Sequence, residues 1–253
     1  MRRQSKPHFV KLRGGTMLEY NQVYCMEANE LLGKLPDESV DMILCDPPFG
    51  VNWKSNRNTY FDQIAGDKQL PVDWLAHAYR VLKSGSAIYI YSHWRTFGDL
   101  KNAVEDVGFA VKNMVVLRKS NHGMGDIKGG YSPKHELVLF AVKGRHLLNK
   151  TPPAYKRLPD VIDVPVIYSR KHRHHSCEKP ISWHLPFIQS SSRAGDLVVD
   201  PFCGSGSVPL ACVETGRNYL AGDIDEGCVD VSRSRLGVNQ LMDNNFCKQL
   251  ESA

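Results

Sequence analysis

The residue types best suited to chemistry stand in one short run, Asp46-Pro47-Pro48-Phe49, directly after the apolar residues 40–45. The Asp46 carboxylate and the carbonyl of Pro47 could together accept both protons of an amino group on an aromatic ring. Such acceptors draw the nitrogen lone pair out of the ring and stabilise the positive charge that develops on attack. The two prolines fix φ and have no N–H to compete for these acceptors. Phe49 offers a flat face, and base stacking on such a face contributes roughly 1–3 kcal/mol.

A glycine-rich run at residues 200–206, DPFCGSG, is the second candidate. Gly204 and Gly206 allow the backbone to turn sharply and its N–H groups to approach a ligand closely. Asp223 lies 17 residues after Gly206, near the spacing at which an acidic side chain accepts hydrogen bonds from ribose hydroxyls. The third glycine of a dinucleotide fingerprint is missing, which argues against NAD. An adenosine-containing cofactor is therefore expected here.

Strand-like apolar runs alternate with segments of helical periodicity, and this alternation predicts an α/β fold. The sheet is expected to be doubly wound, mostly parallel and Rossmann-like, with an antiparallel edge hairpin formed by 111–119 and 135–144. The other predicted strands are 40–45, 86–94, 197–200 and 218–225, and the predicted helices are 71–85 with Gly85 as its stop, 96–109, 181–193, one after the glycine turn, and 229–241. Because parallel sheets bind ligands beyond the carboxyl ends of their strands, both runs should lie at one edge.

The two runs together resemble the amino-group DNA methyltransferases, specifically the permuted β group in which D-P-P-[FY] precedes F-x-G-x-G. The resemblance covers most of the chain. It implies that Asp46, Pro47, Pro48 and Phe49 are catalytic and bind the target amino group of a flipped base, with S-adenosylmethionine as the methyl donor. Asp at the first position of the motif implies N6 of adenine in double-stranded DNA, although the chemistry of the site accommodates N4 of cytosine as well.

The resemblance also implies a set of cofactor-binding residues. The family's glycine turn and its acidic ribose ligand carry over directly, Glu178-Lys179-Pro180 matches the element near the methionine end of the cofactor, and residues 26–49 include the segment that reaches the adenine. The implied residues are Glu27, Asp46, Lys179, Asp200, Phe202, Gly204, Gly206 and Asp223.

The same family pattern divides one catalytic domain into three parts. Residues 17–143 form the catalytic half, 144–175 a small basic target-recognition insert, and 176–245 the cofactor-binding half. Seven Lys and Arg side chains in the insert could neutralise phosphates, while few side chains remain to read base edges. A short recognition sequence or relaxed specificity is therefore expected.

Composition sets further bounds on the protein. A chain of 253 residues with 42% hydrophobic content is long enough for one α/β core, and 32 basic against 27 acidic residues permit nucleic acid as a partner. Seven cysteines without a C-x-x-C pair, and the cluster His172, His174, His175 and Cys177, follow no zinc pattern, so no metal is expected. No apolar run is long enough to span a bilayer, which predicts a soluble cytoplasmic protein without a membrane partner. A homodimer is left open.

Some features and functions stay open at this stage. The polar segments 53–63 and 120–132 could close over DNA or be solvated loops. Ser92-His93-Trp94 could face the site from its strand end, although a packed tryptophan and a surface histidine are expected. A methyltransferase acting on RNA or on a protein amide would use a similar N-P-P-[FY] site, but Asp46 and the permuted motif order count against it. A DNA-binding regulator on an inactive methyltransferase fold is the alternative outside enzymes.

Overall fold

A computed structural model describes residues 9–11, 17–52, 66–123, 129–149, 158–165 and 179–237. Within these ranges, eight strands form one sheet in the order β3-β10-β9-β4-β5-β7-β6-β8, and β1 and β2 form a separate antiparallel pair. The strands are β1 Phe9–Lys11, β2 Met17–Glu19, β3 Gln22–Cys25, β4 Val40–Cys45, β5 Leu82–Ser92, β6 Ala110–Lys119, β7 His135–Val142, β8 Val161–Val164, β9 Leu197–Asp200 and β10 Asn218–Asp223. The helices are α1 Ala28–Lys34, α2 Leu75–Val81, α3 Phe97–Asp106, α4 Leu185–Ser191, α5 Ser207–Thr215 and α6 Glu226–Leu236, with a 3₁₀ turn at Ile181–Trp183.

The chain leaves the middle of the sheet in two opposite directions. The strands β3, β10, β9, β4 and β5 run parallel to one another. From β9 the chain passes through α5 to β10 on one side, whereas from β4 it passes through α2 to β5 on the other. Adjacent strands with diverging connections leave a crevice at their carboxyl ends, where sheets of this kind bind ligands. The carboxyl ends of β4 and β9 border this crevice.

Both faces of the sheet are covered by helices. On one face, Leu31 of α1, Leu75 of α2 and Leu100 of α3 pack in a cluster of buried side chains. On the other face, Phe187 of α4 and Val208 of α5 belong to a second cluster. A strand buried on both sides needs a continuous apolar sequence, and the Met-Ile-Leu-Cys at residues 42–45 of β4 provides it. The predicted doubly wound, mostly parallel α/β fold is confirmed.

Strand β8 was not predicted from the sequence. It lies within the 144–175 insert and pairs in parallel with β6, outside the predicted β6–β7 hairpin. The other described parts of the insert have no regular structure, and residues 150–157 and 166–178 lie outside the described residues. The three-part division of the domain stays a prediction, although both of its larger parts contribute strands to the same sheet.

Gly85 does not end a helix, as the sequence had predicted. Helix α2 ends at Val81, and β5 begins at the next residue and continues through Gly85. Gly85 has φ +87°, its N–H donates to the Lys143 carbonyl at 2.7 Å, and the β4–β5 register shifts just before Met42. The glycine therefore provides an irregularity within the strand. Helix α6 likewise ends at Leu236, before the predicted boundary, at Gly237 with φ +69°.

Among the described residues, no helix combines the length and the apolar character needed to cross a membrane.

Gly206 is the last residue of the glycine turn and also lies where α5 and α6 pack together. Its φ is +82°, in the left-handed region. A Cβ at this position would overlap Ser232 Oγ on α6 and would lie 3.1 Å from Ser232 Cβ and 3.3 Å from Ser232 Cα. Rotation of the serine could move the hydroxyl but not the last two atoms. Only glycine therefore fits between α5 and α6.

We expect Gly206→Ala to lower the free energy of unfolding more than Gly195→Ala does. Gly195 also has a positive φ, +88°, but no atom lies within 4 Å of a Cβ built there. Gly195→Ala should therefore cost only the left-handed conformation, about 1–2 kcal/mol. Gly206→Ala should cost about 1–3 kcal/mol more, because it also overpacks the contact with α6. Urea unfolding of both variants measures the difference, and equal losses would contradict the packing argument.

Candidate active site

Three carboxylates stand at neighbouring strand ends. Asp46 directly follows β4, Asp200 is the last residue of β9, and Asp223 is the last residue of β10. The pairing of β4 with β9 and of β9 with β10 brings these ends to one edge of the sheet. The edge is therefore suited to a ligand that carries positive charge.

Asp46 is the member of this group with an unsatisfied oxygen. Its Oδ2 accepts a hydrogen bond from the Lys179 ammonium group. Its Oδ1 is buried and has no hydrogen-bond partner among the described residues. Burial raises the pKa of Asp46 above its ordinary value, and the charge of Lys179 opposes that rise. Since an unpaired buried acceptor is costly, Oδ1 is a position where a ligand donor would be stabilised.

Lys179 lies between aromatic rings and carboxylates. Its Nζ is 5.6 Å from the centre of the Phe49 ring and 5.1 Å from that of Tyr91. Burial raises the pKa of Glu136 on β7, but the positive charges of Lys179 and Lys119 outweigh this effect and hold that pKa below its ordinary value. The sequence had implied a role for Lys179 near the methionine end of a cofactor, and its contact with Asp46 was not foreseen.

The loop after Asp46 is held by a carboxylate that the sequence did not single out. Asp67 is 2% exposed, and its Oδ1 accepts hydrogen bonds from the backbone N–H of Gly50 at 2.8 Å and of Val51 at 3.3 Å. Its carbonyl accepts from the Asn52 N–H at 2.7 Å. Gly50 has φ +69°, and a Cβ there would collide with the backbone of residue 70. These contacts fix the position from which Phe49 faces the crevice.

The glycine turn is organised by the carboxylates on either side of it. Asp200 Oδ1 accepts from the Phe202 N–H at 3.1 Å, and Asp223 Oδ2 accepts from the Gly204 N–H at 2.8 Å. Gly204 has φ +48°, and a Cβ built on it would meet no atom within 4 Å. The backbone at Gly204 is therefore open to close approach by a ligand. The Phe202 ring packs edge-on against Trp74, with 5.3 Å between ring centres.

Asp200 and Glu27 differ in their access to the crevice. Asp200 is 3% exposed, and burial raises its pKa well above the ordinary range, with Asp223 and Asp46 adding to the rise. Glu27 is exposed and lies just beyond β3, where its carboxylate caps α1 by accepting from the N–H groups of Asn29 and Glu30. Sequence analysis missed this cap, although an acidic residue directly before a helix is a known signal for one.

A buried tyrosine and histidine lie beneath Lys179. The Tyr91 hydroxyl is 3.2 Å from His184 Nδ1. Burial lowers the pKa of His184 to about 3, and the charge of Lys179 contributes to the same shift. His184 is therefore neutral at physiological pH and adds no positive charge to the site.

The structure groups most of the predicted site residues at this edge. Lys179 contacts both Asp46 and the Phe49 ring, and the glycine turn after β9 lies at the adjacent strand end. Glu27 follows β3 and lies at the outer end of this series of strand ends, beyond β10. The individual roles of these residues remain predictions.

The expectation of a packed Trp94 is wrong, because this side chain is 65% exposed. His93, expected at the surface, is partly buried and has its ring centre 6.3 Å from that of Phe49.

Within the described ranges, no cluster of three His, Cys, Asp or Glu side chains is arranged to hold a metal ion. The cluster His172, His174, His175 and Cys177, the segment 53–63 and residues 124–128 of the second polar loop lie outside those ranges.

Comparison with known proteins identifies the family. The sequence profile of the DNA methylase family matches residues 40–234. The Escherichia coli K12 protein YubD is 32% identical over 214 residues, which cover 83% of this chain and 87% of YubD. The DNA adenine methyltransferase YhdJ of Escherichia coli K12 is 27% identical over 241 residues, covering 82% of this chain and 79% of YhdJ.

A solved structure shares the fold. The crystal structure of the M1.HpyAVI–SAM complex matches 85% of this chain and 98% of its own with a TM-score of 0.67, at 24% identity. Because the family profile extends from β4 into the last turns of α6, the protein belongs to the DNA methylase family.

Proposed function

We propose that this protein transfers a methyl group from S-adenosylmethionine to the N6 amino group of an adenine flipped out of double-stranded DNA. The observation that carries the proposal is Asp46 Oδ1, a buried acceptor without a partner among the described residues, beside Phe49 and at the strand end next to the glycine turn. Membership of the DNA methylase family supports DNA as the substrate.

The residues at the strand ends fit S-adenosylmethionine. The open backbone at Gly204 leaves room for close approach, and the Asp223 carboxylate beside it is suited to ribose hydroxyls. When bound, the cofactor supplies a methyl group on a positively charged sulfur. The carboxylates of Asp46 and Asp223 favour that charge, while Asp200, whose pKa burial raises, holds the turn through the Phe202 N–H. Glu27 follows β3, the strand beyond β10 in the sheet, where it would reach the adenine of the cofactor.

Asp46 prepares the amino group of the target base. Its Oδ1 accepts a hydrogen bond from one amino N–H and the Pro47 carbonyl accepts a hydrogen bond from the other, so that the nitrogen lone pair is freed from the ring. The base stacks on Phe49, which helps to offset the few kcal/mol needed to take it out of the duplex. Asp67 keeps the loop in place for this stacking by binding the N–H groups of Gly50 and Val51.

Lys179 has a separate role at Asp46. Its positive charge favours the ionised form of the Asp46 carboxylate, which burial alone would disfavour. Its ammonium group also lies over the Phe49 ring, where a stacked base would bind. Lys179 therefore shifts when the base enters, and the carboxylate of Glu136 provides a second partner for its charge.

Adenine is the proposed base for two reasons. Asp at the first position of the D-P-P-F motif accompanies adenine in the family that the sequence resembles, and the name of the relative YhdJ specifies adenine. The basic 144–175 insert is proposed to bind phosphates of duplex DNA, and Arg145 is its described basic residue. Assembly as a homodimer remains a prediction.

The direct test is to incubate the protein with methyl-labelled S-adenosylmethionine and duplex DNA from a host without methylases, and then to identify the nucleosides by mass spectrometry. We expect N6-methyladenine. N4-methylcytosine would correct the base, and label only in RNA or protein, or none at all, would overturn the proposal.

Asp46→Asn should reduce kcat in this assay on the order of 100- to 1,000-fold, a loss like that seen when one charge-stabilising hydrogen-bond partner is removed. The variant keeps the size of the side chain but loses its negative charge. DNA binding should remain within a few-fold of wild type. Asp106→Asn is the matched control, since Asp106 is an exposed aspartate at the last residue of α3. Equal kcat values for the two variants would exclude Asp46 from catalysis.

The pH dependence of kcat/KM for DNA should show an acid limb that moves when Lys179 is changed. The active form of Asp46 is the carboxylate, so activity falls as the pH drops through its pKa, which burial raises. Removing the positive charge in Lys179→Met raises this pKa further and should move the limb to higher pH. Lys179→Arg retains the charge and should stay near wild type. A limb that moves to lower pH in Lys179→Met would contradict the proposed role of Lys179.

A further inference from the structure

The turn between β5 and α3 presents an exposed tryptophan beside the active-site crevice. Trp94 is 65% exposed, whereas Trp74 and Trp183 are 1% and 4% exposed. Trp94 lies two residues beyond Ser92, the last residue of β5, and β5 is the sheet neighbour of β4. Large exposed aromatic side chains next to a binding site commonly mark a contact surface.

A row of rings connects this tryptophan to the D-P-P-F motif. The ring centres of Phe49 and His93 are 6.3 Å apart with 31° between their planes, and those of His93 and Trp94 are 5.7 Å apart with 37°. The Arg95 guanidinium carbon lies 5.3 Å from the centre of the Trp94 ring. The row therefore extends from the base-stacking residue to the protein surface and ends in a positive charge.

His93 holds the turn in this arrangement. Its Nδ1 accepts a hydrogen bond from the Arg95 N–H at 3.3 Å, and its carbonyl accepts from the Thr96 N–H at 3.0 Å. Burial lowers the pKa of His93, and the charge of Arg95 adds to this shift. The imidazole is therefore neutral at physiological pH, and the positive charge of the row is carried by Arg95 at its outer end.

An apolar depression of about 450 Å³ adjoins Trp94. Its lining includes Phe97, Met114 and Leu137, and Met114 is 46% exposed. An apolar floor beside Trp94 is complementary to a nucleobase, and the Arg95 guanidinium over the Trp94 ring is complementary to a phosphate.

We propose that Trp94 and Arg95 bind the nucleotide next to the flipped base, with the Trp94 ring stacked on its base and Arg95 paired with its phosphate. The proposal rests on DNA as the substrate of the active site. When one base leaves the duplex, its neighbour loses a stacking partner. The Trp94 ring, which is separated from Phe49 by the His93 ring, replaces that partner and holds the strand while the target base occupies the site. Trp94 and Arg95 are therefore positioning residues.

Base stacking is tested by binding to two fluorescein-labelled strands of equal length, an oligodeoxyadenylate and an abasic strand with the same phosphates. Fluorescence anisotropy should show that Trp94→Ala weakens binding of the oligodeoxyadenylate on the order of 10-fold and leaves the abasic strand unaffected. Trp94→Phe should retain most of the affinity. Arg95→Gln should weaken binding of both strands and reduce the slope of log K against log salt by about 0.7.

Val213→Ala is the matched control for loss of an exposed apolar side chain. Val213 is 58% exposed and lies in the last turn of α5, which ends beside the start of β9, at the opposite edge of the sheet. Its binding of both strands should equal wild type.

The proposal is overturned if the affinity of Trp94→Ala for both strands equals that of wild type, or if its affinity for both strands falls by the same factor. It is also overturned if the variant changes only the sedimentation of the protein, because the tryptophan would then join two copies of the chain. In methylation assays, Trp94→Ala should raise the KM for duplex DNA on the order of 10-fold, with kcat changed less. Absence of methylation by the wild type would instead contradict the proposed function. The comparison of the two strands in the binding assay tests only the roles of Trp94 and Arg95.

Discussion

In the proposed mechanism, Asp46 has to remain ionised at a buried strand end while one of its oxygens is kept for the target amino group. Burial disfavours this charge, and the Lys179 ammonium group, itself positioned over Phe49, opposes that effect. Asp67 contributes from the other side, because it binds the backbone just after the motif and limits how far the loop can relax. The site therefore holds an acceptor that none of the described residues satisfies, at a cost that binding of an amino group would offset.

The order of the strands makes this acceptor useful. Strands β4 and β9 are far apart in the chain, but they are neighbours in the sheet, and their connections leave in opposite directions. Asp46 and the glycine turn, with the open backbone of Gly204, consequently follow two neighbouring strand ends. Gly206 has no Cβ, and it can therefore adopt its left-handed conformation while α6 packs closely against it. The shape of the turn and the packing of α6 both depend on this glycine.

Much of the fold could be predicted from the sequence, because continuous apolar runs identify strands buried on both faces, and such strands require helices on each side. The end of β4 just before Asp46 and the end of β9 before the turn at Gly204 were predictable for the same reason. Contacts between distant residues were not predictable in this way. The pairing of Lys179 with Asp46 and the binding of the loop by Asp67 depend on how separate segments pack. Exposure of Trp94 depends on which neighbours cover it, which a single sequence does not encode locally.

The most direct measurement is a crystal structure of the protein with S-adenosylhomocysteine and a duplex that it methylates. The account predicts an extrahelical adenine stacked on Phe49, with its amino nitrogen about 3 Å from Asp46 Oδ1 and Lys179 displaced from the ring. The cofactor should lie against the backbone at Gly204. A target base bound away from Asp46, or a cofactor bound outside the crevice between β4 and β9, would contradict the account.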